Sequence, residues 1–475
     1  MPDGKLKHFT DRISAYLAED RNGKPKNEKL VASIAEITRT VARHLWTDDA
    51  KLYPSSSDPI WWEVWVRTAT SGAETSRFRE AARTLGLTVR DRSIAFLERQ
   101  VFLAYGSLAQ IERSVELLDM IAELRRAKDS PSDFTEMSAK DQRAWAASLL
   151  ARLTSPGLDA PAVCLLDTGV NHRHPLLAPA IANEDVQACI PGWTPADQSG
   201  HGTGMAGLAL YGDLLPLLAS SEPIVLRHRL ESVRIVPATG QNDPELYGKL
   251  TMEAIARAEV AAPHRRRACC LAVSSKDNLD RGAPSSWSAE VDALSSGSDD
   301  GERRLIIVAA GNVDRRNWTG YPDVNLSDSI HDPGQAWNAL TIGAFTDRSQ
   351  LDPERYPDWS LVAHPGALSP SSTTSQVWAG HWPLKPDLVL EGGNAAVDPG
   401  HTMVDTPDDL SLLTTHQHHL TKLFVTTGDT SGAAALAARL AATLMAEYPD
   451  LWPETVRALL VHSAEWTGQM LREYP

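Results

Sequence analysis

Apolar and polar positions alternate in two different styles along the chain. Residues 1 to about 50 are polar with helical spacing, most clearly in KLVASIAEITRTVARHLW, where apolar residues recur every three or four positions. WWEVWVRTA then alternates aromatic and β-branched residues as a strand does, and SRFREAARTLGL reads as a helix stopped at Gly86. VRDRSIAFLERQ and VFLAYG read as two strands, and LAQIERSVELLDMIAELRRA as one long amphipathic helix. This order, β-α-β-β-α, is most of a split βαβ, or ferredoxin-like, α+β unit. AKDSPSDFTEMSAKD, rich in Ser, Asp and Pro, reads as a linker into the helix DQRAWAASLLARL. The expected organisation is a smaller N-terminal domain over 1–127, a linker and helix over 128–157, and a larger domain over 158–475.

From Ala162 the pattern changes to short apolar runs alternating with helical ones. The runs AVCLLD, SVRIVPAT, ACCLAVSS, RRLIIVAAGN and NALTIGAFT are separated by helices at HGTGMAGLALYG, ELYGKLTMEAIARAEVAA and SSWSAEVDALSS. Apolar strands in alternation with helices predict an α/β domain with a parallel sheet covered on both faces. In such sheets the ligand site lies at the carboxyl ends of the strands.

Composition changes this picture little. Hydrophobic residues make up 42% and charged residues 23%, as in soluble globular proteins. A formal charge of −15 argues against a nucleic-acid or anionic-membrane surface, which draws on clustered Lys and Arg. MPDGKLKHFTDRISAYLAEDRNGK has no apolar signal-peptide core, and no apolar stretch is long enough to span a bilayer, so the expectation is a cytoplasmic protein with no membrane partner. The four cysteines show no CxxC or Cys/His ligand spacing and read as buried thiols.

The candidate chemistry sits at the predicted element ends. In KLFVTTGDTSGAAALAARLAATLMAEYPDL, Ser431 lies where a strand gives way to an alanine-rich helix. There its hydroxyl is near unpaired N–H groups and the positive end of the helix dipole, which suits a nucleophile as well as an ordinary cap. AVCLLD ends in Asp167, suited to orienting a histidine. The triplet Asp167-Thr168-Gly169 also matches aspartic-protease chemistry, but that chemistry needs a second such carboxylate in a β-rich chain. His201 opens the helix HGTGMAGLALYG, where the dipole should keep the imidazole neutral and able to accept a proton. Asn312 follows Gly311 at the end of RRLIIVAAGN, where an uncharged amide can donate to an oxyanion. Each residue alone fits a cap or a turn; together they supply the parts of an acyl-transfer site.

These residues carry a resemblance to the subtilases, the subtilisin-like serine peptidases. LLDTGVNHRHPLL is similar to the family's aspartate motif, SGHGTGMAGL to its histidine motif and VAAGN to its oxyanion-asparagine motif. NALTIGAFT, LKPDLVLEGG and PETVRALLVHSA resemble elements between and after the motifs, and the resemblance covers about Ala162 to Trp466. It implies a subtilisin-like fold and a serine endopeptidase with Asp167, His201 and Ser431 as triad and Asn312 as oxyanion donor, helped by the Ser431 N–H. The serine motif departs from the family's Gly-Thr-Ser-x-Ala: Asp429 replaces the glycine and Ala435 stands where a proline is usual.

The resemblance implies a polypeptide substrate bound as an added strand along ACCLAVSS, with Ser274, Ser275 and Gly311 as candidate substrate-binding residues. It implies no organic cofactor, and no stretch has the carboxylate pattern of a calcium loop. His416, His418 and His419 read as a solvated loop, with no metal expected, and the long segment that carries them as part of a substrate groove. The N-terminal unit resembles the family's inhibitory prodomain in element order, its tail AKDSPSDFTEMS then lying in or near the cleft. It could equally be a permanent regulatory domain that meets a protein partner. The alternative to a peptidase is a subtilase-like pseudoenzyme or partner-triggered effector. The ending LREYP follows a helix abruptly, so the chain could continue beyond Pro475.

Overall fold

The computed structural model of the chain describes residues 3–473 apart from 19, 22–23, 28–41, 48–52, 55, 58, 69–72, 97, 128–129, 221, 276–279 and 354. Two compact units emerge, residues 1–128 with 219–221, and residues 129–218 with 222–475. The helix expected in KLVASIAEITRTVARHLW lies outside the described residues except for Ala42–Leu45.

The first unit contains β1 (Pro59–Arg67), α1 (Ala73–Thr84), β2 (Thr88–Phe96), β3 (Arg99–Ser107), α2 (Leu108–Glu112), α3 (Val115–Met120) and β4 (Ile121–Arg126). Its antiparallel sheet runs β2-β3-β1-β4. Trp62, Val64 and Val66 of β1 face Phe78, Phe102, Leu117 and Leu124 in one core. Trp62 can be buried because its indole N–H donates to the Gly106 carbonyl at 2.7 Å. The single long helix expected from residue 108 onward is two short helices and a strand. Ser114 interrupts it by accepting from the Leu117 N–H at 3.1 Å, which starts a new helix. IAELRR then buries Ile121 and Leu124 at the edge of the sheet, completing a split βαβ order.

The second unit begins with α4 (Pro131–Glu136) and α5 (Ala139–Leu150), continues with β5 (Ala162–Asp167), β6 (Val186–Ala188), α6 (His201–Tyr211), β7 (Arg229–Arg234), α7 (Tyr247–Ala261) and β8 (Arg267–Leu271), and goes on through α8 (Ser286–Ser296), β9 (Leu305–Ala309), β10 (Leu340–Thr346), β11 (Ala367–Leu368) and β12 (Leu388–Glu391). It ends with β13 (Leu412–Thr415), β14 (Phe424–Thr427), α9 (Asp429–Glu447) and α10 (Pro453–His462). The main sheet runs β11-β10-β9-β8-β5-β7-β6, with β12 also on β10. All its pairings are parallel except β10 with β11. The expected parallel sheet is therefore present, and every residue of β5 and β9 is buried, as a sheet covered on both faces requires.

β7 departs from the expected SVRIVPAT strand. It starts earlier, as RLESVR, and all six residues are buried. Glu231, only 2% exposed, is tolerated because Arg267 grips it at 2.7 and 3.0 Å and Arg265 at 2.7 Å. Arg265 also reaches Asp185 at 2.6 Å.

The stretch read as a linker tail is helical from Pro131. SPSD is a helix start in its own right, with Pro131 at the first helical position and the Ser130 N–H donating to Asp133 at 3.4 Å. α4 and α5 clasp the β13–β14 hairpin. The Ser132 N–H donates to Asp409 at 3.0 Å, Thr135 to Asp408 at 2.5 Å, and Gln142 accepts the Leu423 N–H at 2.7 Å. Phe134 packs edge-on against both Trp145 and Phe424. Burial of each such ring contributes about 1.5–3 kcal/mol, so the clasp is held by packing as well as by its polar contacts.

On its other side the hairpin holds α6: Thr414 donates to the Gly204 carbonyl at 2.6 Å and Thr415 to that of Thr203 at 2.7 Å. α9 runs through the core with Ala433, Ala434, Ala435, Ala437, Ala438, Ala441 and Ala442 buried. Alanine combines high helix propensity with a small side chain, which lets a helix sit this deep. No helix among the described residues is long and apolar enough to cross a membrane.

Candidate active site

The carboxyl ends of β5, β8 and β9 and the first turns of α6 and α9 meet in one place. Asp167 closes β5 with no exposed surface. Its two oxygens lie 2.7 and 2.9 Å from His201 Nδ1, and Oδ1 also accepts the Thr168 N–H at 2.7 Å. A carboxylate accepts only, so Nδ1 carries the hydrogen and the lone pair of the neutral ring is on Nε2.

His201 is the first residue of α6, and Asp197 fixes the start of that helix. The Asp197 carboxylate accepts from the N–H groups of Ser199 (2.9 Å), Gly200 (2.8 Å) and Thr203 (2.8 Å), and from the Thr168 hydroxyl at 3.0 Å. The Thr168 hydroxyl in turn accepts the Gly202 N–H at 2.9 Å, so strand end and helix start are tied together. A Cβ on Gly202 would stand 2.1 Å from the Gly169 carbonyl oxygen, so this approach demands glycine.

His201 does not behave as the helix dipole alone predicts. Burial disfavours its charged form, but the carboxylates of Asp167, Asp197 and Asp429 outweigh it, and its pKa is raised above the ordinary value. Full charges close by exceed the half-charge of a helix end. The ring itself remains 36% exposed, open to a proton donor.

Asn312 follows Gly311, whose φ of +96 places its missing Cβ 2.2 Å from the His331 ring. One amide atom of Asn312 meets the Thr430 N–H at 3.0 Å and the Thr430 hydroxyl at 2.7 Å. A backbone N–H can only donate, so that atom is Oδ1, and the Nδ2 donors are left for another acceptor.

Ser431 lies in the first turn of α9 and is 8% exposed. Its hydroxyl donates to the Ala272 carbonyl just beyond β8 at 2.7 Å, rather than to His201. The serine is brought to the same strand ends as Asp167, His201 and Asn312, but its proton is held by a main-chain oxygen.

Asp429 has φ of +61, the left-handed region that glycine adopts freely, which accounts for a glycine being usual there. Its carboxylate faces Arg315 at 3.6 Å. Burial pushes its pKa up, while Arg315, a Ser371 hydrogen bond and His201 pull the other way.

Ser274 and Ser275 line a cavity of about 560 Å³ beside β8, walled by Val236, Tyr247, Leu250 and Trp287. Gly311 lies against His331 instead and does not line it. His416, His418 and His419 lie between β13 and β14, and Gln417 among them accepts from the Asn171 side chain at 3.0 Å and lies against Gly200. Among the described residues no group of three or more His, Cys, Asp or Glu is arranged to hold a metal ion.

Asp197, Arg315 and the Ala272 carbonyl were not singled out by the sequence, and Thr430 was read only as a cap and as part of the serine motif. Only Asp197 carried a signal, an Asp four residues ahead of a helix start.

The model of the subtilase family matches residues 159–474. A curated relative, the uncharacterized protein y4bN of Sinorhizobium fredii, is 30% identical over 202 residues; the match spans 39% of this chain and 45% of that protein, less than half its length. Solved structures similar to this chain include an S41 psychrophilic protease (20% identity, 65% of this chain and 84% of that one, TM-score 0.42) and sphericase (21%, 66% and 88%, 0.43). A third is the epidermin leader peptide processing serine protease of Staphylococcus aureus (15%, 85% and 92%, 0.42). With two thirds of its length matched by the family model, the chain belongs to the subtilases, a family of serine-type endopeptidases.

Proposed function

We propose that the chain hydrolyses polypeptides through Asp167, His201 and Ser431, with Asn312 and the Ser431 N–H holding the oxyanion. His201 Nε2 takes the Ser431 proton as Oγ attacks the peptide carbonyl, and Asp167 orients the ring and compensates the imidazolium. Negative charge on the carbonyl oxygen is met by Asn312 Nδ2 and by an N–H in the first turn of α9. His201 then gives its proton to the leaving amine, and water cleaves the acyl ester by the same route in reverse. The apolar-walled cavity beside Ser274 and Ser275 suits an apolar side chain of the substrate.

The observation that carries the reading is the buried Asp167 with both oxygens within 2.9 Å of His201 Nδ1, at the strand ends where Ser431 also stands. One feature favours a second reading, a partner-triggered effector. The Ser431 proton is engaged by Ala272, beside the unusual Asp429, and on this reading a binding event frees the nucleophile. In both readings residues 1–127 act as the regulatory part.

Fluorophosphonate labelling separates the two. Labelling of the full chain that disappears in Ser431→Ala identifies the nucleophile, and faster labelling of a chain beginning at Ser130 assigns inhibition to the N-terminal unit. Folded protein that stays unlabelled in both lengths refutes an autonomous peptidase and leaves the triggered effector.

A further inference from the structure

A second polar pocket lies between the C-terminal end of α6 and the middle of α9. It measures about 140 Å³, and its walls are Leu210, Leu217 and Leu226 with the polar side chains of Arg439, His228 and Thr443. Arg439 is half-buried among these apolar side chains, and burial lowers its pKa with no carboxylate acting against that. Among the described residues no side chain or carbonyl accepts from its guanidinium. A cation partly withdrawn from water without an anion is costly, and such groups are ordinarily paired.

His228 is 2% exposed and shares the cavity. Its Nε2 lies 2.8 Å from the Ala209 carbonyl of α6, so Nε2 carries the hydrogen. Its Nδ1 is buried with no partner. Burial holds this ring down to about 4, the Ala209 bond opposes that, and Arg439 adds to it. The other groups around the pocket are engaged: Arg227 pairs with Glu447, Tyr211 donates to the Leu176 carbonyl at 2.6 Å, and Thr443 donates to the Arg439 carbonyl at 2.8 Å. What is missing is a negative charge that accepts from Arg439 and satisfies Nδ1 of His228.

We propose that this pocket is a binding site for a small oxyanion, with inorganic phosphate as the representative ligand. The ligand accepts the Arg439 fork. It meets His228 either by the ring taking up a proton on Nδ1 or through an O–H of the ligand. The first route takes up one proton from solution, so affinity falls as pH rises; it is the route proposed here, because a ligand O–H is present at either pH and would leave affinity unchanged. The site is separate from the reactive residues but shares their helices. Arg439 lies eight residues after Ser431 and Ala209 eight after His201, about 12 Å along each helix axis. A bound anion therefore ties the nucleophile's helix to the histidine's helix and acts on the packing between them.

The test is thermal unfolding of the full chain in phosphate against sodium chloride at matched ionic strength, at pH 6 and pH 8, with ³¹P line broadening as the direct readout. Phosphate at about a hundred times its Kd should raise Tm by roughly 2–5 °C, saturably and with tighter binding at pH 6. Arg439→Met should lose both the shift and the broadening, and without phosphate should melt no lower than wild type, because it removes a half-buried cation that has no counter-charge. Arg439→Lys, which keeps the charge but not the fork, should bind more weakly and covers the case in which the Met variant fails to fold. A shift equal to that in chloride, or one that survives in Arg439→Met or is undiminished in Arg439→Lys, overturns the proposal.

Discussion

Replacing Asp429 tests two physical claims at once, that its backbone is held left-handed and that its charge reaches His201. At φ of +61 a residue with a Cβ carries a steric cost of about 1–2 kcal/mol, less for Asp than for most residues. Asp429→Gly removes that cost but also the Arg315 contact. The contact measures 3.6 Å, with Arg315 64% exposed, which limits it to about 0–1 kcal/mol. Glycine further loses the carboxylate's interaction with the helix start, about 0.3–1 kcal/mol, and adds freedom to the unfolded chain. The changes nearly cancel, so Asp429→Gly should stay within about 1 kcal/mol of wild type. Asp429→Ala keeps the strain and loses the contacts, and should fall below the glycine variant by about 1 kcal/mol. Chemical denaturation measures both differences. For the charge, the fluorophosphonate labelling rate is followed against pH. In the proposed mechanism neutral His201 is the base, so the rate should climb as pH passes its raised pKa; Asp429→Asn and Asp429→Gly remove a carboxylate that raises it, so the climb should move to lower pH. Equal stability of the Gly and Ala variants would refute the left-handed backbone. An unmoved profile in Asp429→Asn would refute the electrostatic link.

Thr430→Val leaves Asn312 Oδ1 with only the backbone donor, so kcat should fall by about tenfold with KM little changed, measured on any peptide substrate that is cut. Asn312→Ala should cost about 10²–10³ in kcat, the magnitude found for an oxyanion donor in another member of this family. Glu231→Ala leaves Arg267 without its carboxylate and Arg265 with Asp185 alone, and should destabilise by about 3–5 kcal/mol in urea unfolding, with the fold of the first unit unaffected. His201 has a raised pKa in the folded protein, so its protonation adds stability that is complete below the ordinary histidine range and is lost as pH climbs through the raised value. The stability gap between wild type and His201→Gln should therefore be widest near pH 5 and narrow toward pH 9.

The legible parts of the sequence were those where one short stretch holds both a constraint and its answer. HGTG announces itself because Gly202 must clear the Gly169 carbonyl while His201 opens the helix, all within a few residues. The apolar runs of β5, β9 and β10 needed no partner to be recognised, since burial on both faces is written into each. The less legible parts depend on distant residues. β7 carries three charges in six positions, and what neutralises Glu231 is Arg265 and Arg267, more than thirty residues on. The acceptor for Thr430 is 118 residues away, so nothing near either residue shows that Asn312 has its orientation fixed. Ser114 is a different kind of miss: its hydroxyl competes with the helix backbone locally, and apolar spacing alone does not register that competition.

The clasp of α4 and α5 on the β13–β14 hairpin decides where this chain can be divided. Any processing event that detaches the first unit has to cut ahead of Ser130, since a cut nearer Leu158 would also separate Phe134, Gln142 and Trp145 from the strand that leads into Ser431. Twenty-odd residues that look like spacer in the sequence thus belong to the second unit, and a graft of this unit onto another protein has to carry them along.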